Sequence, residues 1–292
     1  MSTATMTVAP QRATRPRSAG NRRVWVRWGL RAALAAGAVF MLVPFVLMVL
    51  AAVTPDARLK PGSAAVSGFT LSNFRQAWQD VDWPGLYLNT VVVVVVVFAA
   101  QVLTSLPAGY ALARLRFRNR KLSFWVVMVC LAIPPQVTGI PVFYALSQVD
   151  LLDSYTALVL PSIGSAFGIF LFRQFVLSLP QSVFDAARLD RTGPIAMVWR
   201  IVLPNVKPAL AAFAVFTVVG HWNDLFWPSV LLRSDRVATV PYGIARYAAP
   251  DSLSSYGTQM AAATLAALPL LIFFLFVQRQ LVRGIAFTNG GE

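Results

Sequence analysis

Cysteine and histidine are almost missing from this chain, with one of each in 292 residues. Cys130 lies inside an apolar run, so no disulfide framework and no thiolate metal cage can form within one chain. With His221 as the sole imidazole, zinc sites built from His and Cys are not expected, and no metal site is assigned. Charge is sparse as well: 12% of residues are charged, about half of what a soluble domain carries. Two catalytic patterns are absent. There is no Gly-x-x-x-x-Gly-Lys-Ser/Thr loop to cradle nucleotide phosphates and no Gly-x-Ser-x-Gly elbow to present a nucleophile. The chain itself is therefore expected to hold no cofactor and to hydrolyse no ATP.

What is present is hydrophobic residues, 57% of the total, in long runs separated by short basic segments. Such a chain reads as an integral membrane protein. Its formal charge of +14 would suit nucleic acid if the basic residues shared one soluble face. They lie instead between apolar runs, as the positive-inside rule requires, so no nucleic-acid partner is expected. The fold class is all-α, polytopic, with six transmembrane helices over about 30–53, 88–112, 122–146, 155–178, 209–232 and 259–282. The valine run from Val91 to Val97 has strand propensity, but a lipid setting imposes helix. Pro134, Pro135 and Pro141 interrupt the third span.

Placing both termini in the cytoplasm puts every lysine and arginine on the inner side except Arg58, Lys60, Arg75, Arg233, Arg236 and Arg246. Residues 1–28 then form a basic cytoplasmic tail, disordered and drawn to anionic membrane lipid. Arg22-Arg23 could open a twin-arginine signal, but the apolar run that follows is too long for one. Residues 29–284 form the membrane domain, with a cytoplasmic loop at about 179–208, and residues 285–292 a short cytoplasmic tail.

That loop is the most informative stretch. Ser182 and Asp185 have capping-box spacing. Ala186 and Ala187 follow, small enough for close approach. Arg191-Thr192-Gly193-Pro194 then breaks the helix, and Leu203-Pro204 ends the next one. The pattern resembles the Glu-Ala-Ala loop of importer-type ABC permeases. Asp185-Ala186-Ala187 stand where that family has Glu-Ala-Ala, Arg191 where it has Gly, and Ile201, Leu203 and Pro204 fall in register. Asp190, Trp199, Lys207 and Pro208 fit the fuller pattern. Gly193 is expected to take over the turn that the missing glycine would make.

The resemblance implies a permease in the bacterial cytoplasmic membrane whose short helix at about 182–190 docks on an ATPase. It implies a docking set of Phe184, Asp185, Ala186, Ala187, Asp190, Gly193, Ile201, Leu203 and Pro204. It implies four partners: a second, homologous permease, a cytoplasmic ATPase dimer that holds ATP and Mg, an extracytoplasmic solute-binding protein, and membrane lipid. Trp222-Asn223-Asp224 with Pro228, and the last span from Met260 through Leu268-Pro269 to Gln278-Arg279, resemble the sugar-importing, maltose-type branch. The implied cargo is a sugar, an oligosaccharide or a glycerol-phosphate-like polyol.

Pocket chemistry for such a cargo needs aromatic faces with amides or carboxylates. Gln136, Tyr144, Asn223 and Asp224 are the pathway candidates. Asp224 is open to two readings, a functional intramembrane carboxylate or a residue of an outer interfacial belt with Trp222 and Trp227. Importers of amino acids, peptides or polyamines remain alternatives, as do a secondary transporter and a membrane enzyme. The last has little support in a chain with one histidine.

Overall fold

A computed structural model describes residues 19–55, 68–249 and 254–288, with side chains described between residues 26 and 278. All regular structure among them is helical. Helix α1 (Ala19–Ala52) leads to α2 (Ser72–Asp80) and the long α3 (Trp83–Arg114). Helix α4 (Arg120–Ala132) passes through a 3-10 turn, Pro135–Thr138, into α5 (Gly139–Gln148). Helices α6 (Tyr155–Val159), α7 (Ala166–Ser178) and α8 (Gln181–Leu189) follow. A composite segment then runs through α9 (Pro194–Ala196), a π-helical stretch (Met197–Val202) and α10 (Leu203–Asn205). Helices α11 (Lys207–Trp222), α12 (Phe226–Leu231), α13 (Val240–Tyr247) and α14 (Tyr256–Thr288) complete the chain.

Three helices are long and apolar enough to cross a membrane, within Val26–Ala52, Trp83–Arg114 and Tyr256–Gln278. Three further spans are possible only if bent pairs each count as one: α4 with the 3-10 turn and α5 at 93°, α6 with α7 at 46°, and α9–α10 with α11 at 85°. The long helices contain Pro44, Pro107 and Pro269 and stay continuous. A lone proline removes one hydrogen bond and leaves the remaining ladder to hold the axis. The bent pairs concentrate their breakers, as in Pro134-Pro135 and in Pro161 with Gly164-Ser165.

Several expectations are corrected here. The third span is two helices at a near right angle, because consecutive prolines leave too few backbone donors to carry the ladder through. The fifth does not run to residue 232; α11 stops at Trp222, and a separate helix starts at Phe226. Helix α1 already begins at Ala19, so residues 19–28 of the expected disordered tail are helical, while residues 1–18 lie outside the described residues. Helix α14 likewise continues to Thr288 and takes in part of the expected C-terminal tail.

Helix α3 is the central post, and α7 is its most intimate neighbour. At Gly109 an added Cβ would lie 2.9 Å from both the Arg173 amide nitrogen and Phe172 Cβ, so glycine is what lets the two backbones meet. Below this contact Phe172, Val176, Phe213, Val202 and Val206 form a buried core joining α3, α7, the π turn and α11. A second core surrounds the fully buried Trp83 and joins α1, α2, α13 and α14. There the Trp83 indole donates to Ala77 O at 2.9 Å, and Tyr87 Oη donates to Leu265 O at 2.8 Å.

Candidate functional site

Two regions carry the chemistry. The first is the segment from α8 to α10. Helix α8 has Pro180 as its N-cap, with no side-chain capping bond. Ser182 is therefore inside the first turn, and the expected capping box with Asp185 does not form. Asp185 Oδ1 instead accepts from Gln181 Nε2 at 2.9 Å and pairs with Arg188 at 3.3 Å.

The helix ends in a Schellman motif. Thr192 N donates to Ala187 O and Arg191 N to Arg188 O, both at 3.0 Å, with Arg191 at φ 54°. Arg191 itself thus makes the left-handed turn. Gly193 has φ −68° and ψ 163°, an extended conformation open to any residue, so it does not take over the turn as expected. Pro204 does not end the next helix either: Leu203 remains helical and the stop falls at Val206 (φ −105°, ψ 21°). The π turn just before widens the coil and moves the preceding carbonyls away from the proline ring.

Of the residues expected to dock, Asp185, Ala186, Asp190, Gly193 and Pro204 are exposed, and Ile201 and Leu203 are half-buried. Phe184 and Ala187 face inward. Phe184 is 1% exposed and stacks on Tyr110 with ring centroids 6.2 Å apart, while Ala187 is 4% exposed in the same core. Their apolar faces pin α8 to α3 and are not available to a docking partner. Leu189 and Ile195, not singled out from the sequence, are 85% and 76% exposed.

Arg114 holds this assembly together. One guanidinium nitrogen donates to Val176 O at 2.9 Å and Leu179 O at 2.6 Å, capping the end of α7. The other donates to Gln181 Oε1 at 2.9 Å, and the guanidinium carbon lies 4.4 Å from the centre of the Phe184 ring. A chain of contacts therefore runs from Arg114 through Gln181 to Asp185. Arg120 acts similarly on α3, donating to Leu112 O and Ala113 O at 2.8 and 2.7 Å.

The second region is a cavity of about 1020 Å³ between α3, α4, α7 and α11. Gln136, Asn223 and Asp224 line it; Tyr144 does not, and is 65% exposed elsewhere on α5. Asp224 Oδ1 accepts from the amides of Phe226 at 2.9 Å and Trp227 at 3.3 Å, so the carboxylate caps α12 while bordering the cavity. Asn223 Nδ2 donates to Val219 O at 2.8 Å and closes the end of α11. Both residues thus also have a local structural task.

The sequence reading missed Gln101 on α3 and its partners. Gln101 is buried, accepts from Thr217 Oγ1 at 3.1 Å, donates to Ser162 O at 2.9 Å and lies 3.3 Å from His221 Nε2. A glutamine halfway along an otherwise apolar span was the available signal, since such a group is buried only with partners.

Helices that cross a membrane, broken partway around a polar-edged cavity and ending in an exposed, rigidly seated loop, define a membrane permease. Residues 105–287 match the family model described as "Binding-protein-dependent transport system inner membrane component", and the chain belongs to that family. It is a transport subunit of the bacterial inner membrane. Among its relatives, the arabinooligosaccharides transport system permease protein AraQ of Halalkalibacterium halodurans is 32% identical over 272 residues, covering 90% of this chain and 95% of that one. The sn-glycerol-3-phosphate transport system permease protein UgpE of Pectobacterium atrosepticum is 35% identical over 201 residues, covering 68% of this chain and 72% of that one. The fold is similar to that in a crystal structure of a bacterial ABC transporter involved in the import of the acidic polysaccharide alginate. There the TM-score is 0.76 at 21% identity, covering 91% of this chain and 99% of that one.

Proposed function

We propose that this chain is one of two membrane subunits of an ATP-driven importer, passing a carbohydrate from an extracytoplasmic solute-binding protein into the cytoplasm. The relatives named for arabinooligosaccharides and glycerol-3-phosphate support that cargo class. In this reading the chain has six spans, three unbroken and three bent, with both termini and the α8–α10 segment on the cytoplasmic side. The distribution of lysine and arginine supports that orientation. A separate ATPase dimer binds ATP and Mg, and a second, homologous permease completes the path.

The observation that carries the reading is the α8–α10 segment. Phe184 and Ala187 fix it to the bundle from beneath, while Asp185, Ala186, Leu189 and Ile195 stand exposed. Exposed apolar side chains beside a carboxylate, on a base that cannot yield locally, suit a seat in an ATPase cleft. Closure of the ATPase pair would then reach α7 and α11 as a rigid-body displacement.

Asp185→Lys tests the seat. Asp185 is about half exposed in this chain, so its pairing with Arg188 contributes little to the chain's own stability. Against a basic group on the ATPase, reversal should cost about 2–5 kcal/mol. ATPase co-purification and uptake should both fall while the chain still inserts. Unchanged co-purification and uptake in Asp185→Lys combined with Leu189→Glu would reject the seat. Topology is checked by placing Leu189→Cys in a Cys130→Ala background. A membrane-impermeant thiol reagent should label it only from the cytoplasmic side.

A further inference from the structure

Resting on the importer reading above, we propose that this chain itself contacts the transported solute, through His221 and the Thr217–Gln101 pair behind it. We further propose that the cavity is built for an uncharged polyhydroxy solute rather than an anion.

The hydrogen bonds assign a direction to the cluster. Gln101 Oε1 accepts from the Thr217 hydroxyl at 3.1 Å, so the other end of the amide is the donor. Its two hydrogens serve Ser162 O at 2.9 Å and His221 Nε2 at 3.3 Å. His221 Nε2 is then an acceptor, which places the imidazole hydrogen on Nδ1. Among the described residues Nδ1 has no hydrogen-bond partner, and His221 borders the cavity. The cluster therefore ends in an N–H donor with no hydrogen-bond partner among the described residues, held from behind by Gln101 of α3, itself bound to Thr217 and Ser162.

The rest of the wall determines what that donor meets. Among the described residues of this chain neither lysine nor arginine lines the cavity, and Asp224 is the carboxylate that does. A phosphate or uronate that gave up hydration against this wall would sit beside a like charge with no cation of this chain to compensate, which is unfavourable. A sugar hydroxyl needs no counter-charge. It can accept from His221 and exchange hydrogen bonds with Gln136 and Asn223, while Phe167 and Phe216 offer aromatic faces to its C–H surface. In solute recognition an amide–imidazole pair of fixed direction discriminates by hydroxyl position, which a purely apolar wall cannot do.

The test uses the complete transporter in liposomes: this chain with its partner permease, ATPase and binding protein. The probes are neutral pentose and hexose trisaccharides, glycerol 3-phosphate and a diuronate, with uptake and ATP hydrolysis measured together. We expect uptake of a neutral trisaccharide. In His221→Leu the solute moved per ATP should fall about fivefold to tenfold, the effect of one lost hydrogen bond. His221→Gln, which keeps a donor, should recover most of it. An unchanged ratio in His221→Leu, or an equal fall in uptake and hydrolysis in both variants, overturns the contact. Faster uptake of glycerol 3-phosphate or the diuronate overturns the charge selection. Either result leaves the importer reading standing, whereas no uptake of any probe by the unaltered complex overturns both.

Discussion

Asn89 and Arg114, toward opposite ends of α3, are about 38 Å apart, and the loops around them are tied differently. Near Arg114 the bundle end is a plug of apolar side chains, with Phe172, Val176, Phe184, Val202 and Val206 all nearly inaccessible. Near Asn89 an apolar core around Trp83, Leu86, Ala238 and Val240 is supplemented by individual polar bonds that tie the loops. Asn89 Nδ2 donates to Ala238 O at 2.9 Å, and Val240 N donates to Thr90 Oγ1 at 2.8 Å. Asp153 accepts from Arg233 N at 3.1 Å, Ser234 N at 3.0 Å and Ser234 Oγ at 2.6 Å. Arg246 pairs with Asp235 on the same side. A close-packed plug transmits displacement as a solid does, because interiors have low compressibility. Loops tied by a few polar bonds can release one tie without losing the rest. In the proposed importer the plug end would suit force transmission, and the laced end the docking and release of a soluble partner.

The largest effect should come from Gly109→Val, which drives a side chain into the Arg173 backbone where α3 meets α7. A loss of about 3 kcal/mol would show as a lowered melting temperature in detergent, and an unchanged one would mean the plug yields. Arg114→Ala should follow at about 2–3 kcal/mol, since it uncaps α7 and leaves Gln181 Oε1 without its donor. Arg114→Lys should recover little, because an ammonium cannot fork across both elements. Limited proteolysis of α8–α10 would register either change.

At the laced end Asp153→Ala should cost only about 1 kcal/mol, visible as faster amide exchange at Arg233 and Ser234. The Ser234 hydroxyl and the Arg233 and Ser234 amides hold the Asp153 carboxyl below its ordinary range. Its contribution is complete above the unfolded carboxyl pKa of about 3.9 and fades as pH falls through the lower folded value. Acid should therefore speed exchange at those two amides before it loosens the plug. The smallest effect has the opposite sign. Arg191→Gly relieves a left-handed backbone and should stabilise α8 by about 0.5–1 kcal/mol, seen as a small rise in melting temperature.

The plug end was the more legible in sequence, because a loop motif is local. Asp185, Ala186 and Ala187 were found through the resemblance to the Glu-Ala-Ala loop, and the helix, turn and helix order followed from Gly and Pro. What spacing cannot show is direction. Ala187 has the small size a docking face needs, but the turn of the helix points it inward with Phe184. The expected capping box failed for a related reason, since Pro180 starts the helix a residue or two early. Arg114 was legible only as one more positive charge on the inner side; its capping of α7 depends on contacts more than sixty residues away in sequence. Gln101 lies on α3, while Thr217 and His221 lie one turn apart on α11, and they become a cluster only after packing. Asn223 and Asp224 border the cavity, and their capping bonds could not be read from composition.

The helix breaks have a consequence for solvent. Ile133-Pro134-Pro135, Gly164-Ser165 and Asn223-Asp224-Leu225 all border the cavity. Each is a place where peptide groups leave the helical ladder, and an unsatisfied peptide group in hydrocarbon costs several kcal/mol. Peptide groups freed at these breaks need hydrogen-bond partners at the cavity, from water or from a solute. A solute entering it, as proposed above, would exchange hydration for peptide and side-chain contacts. The barrier is then low for molecules rich in hydroxyls and high for apolar ones, which can displace the water but cannot replace its bonds.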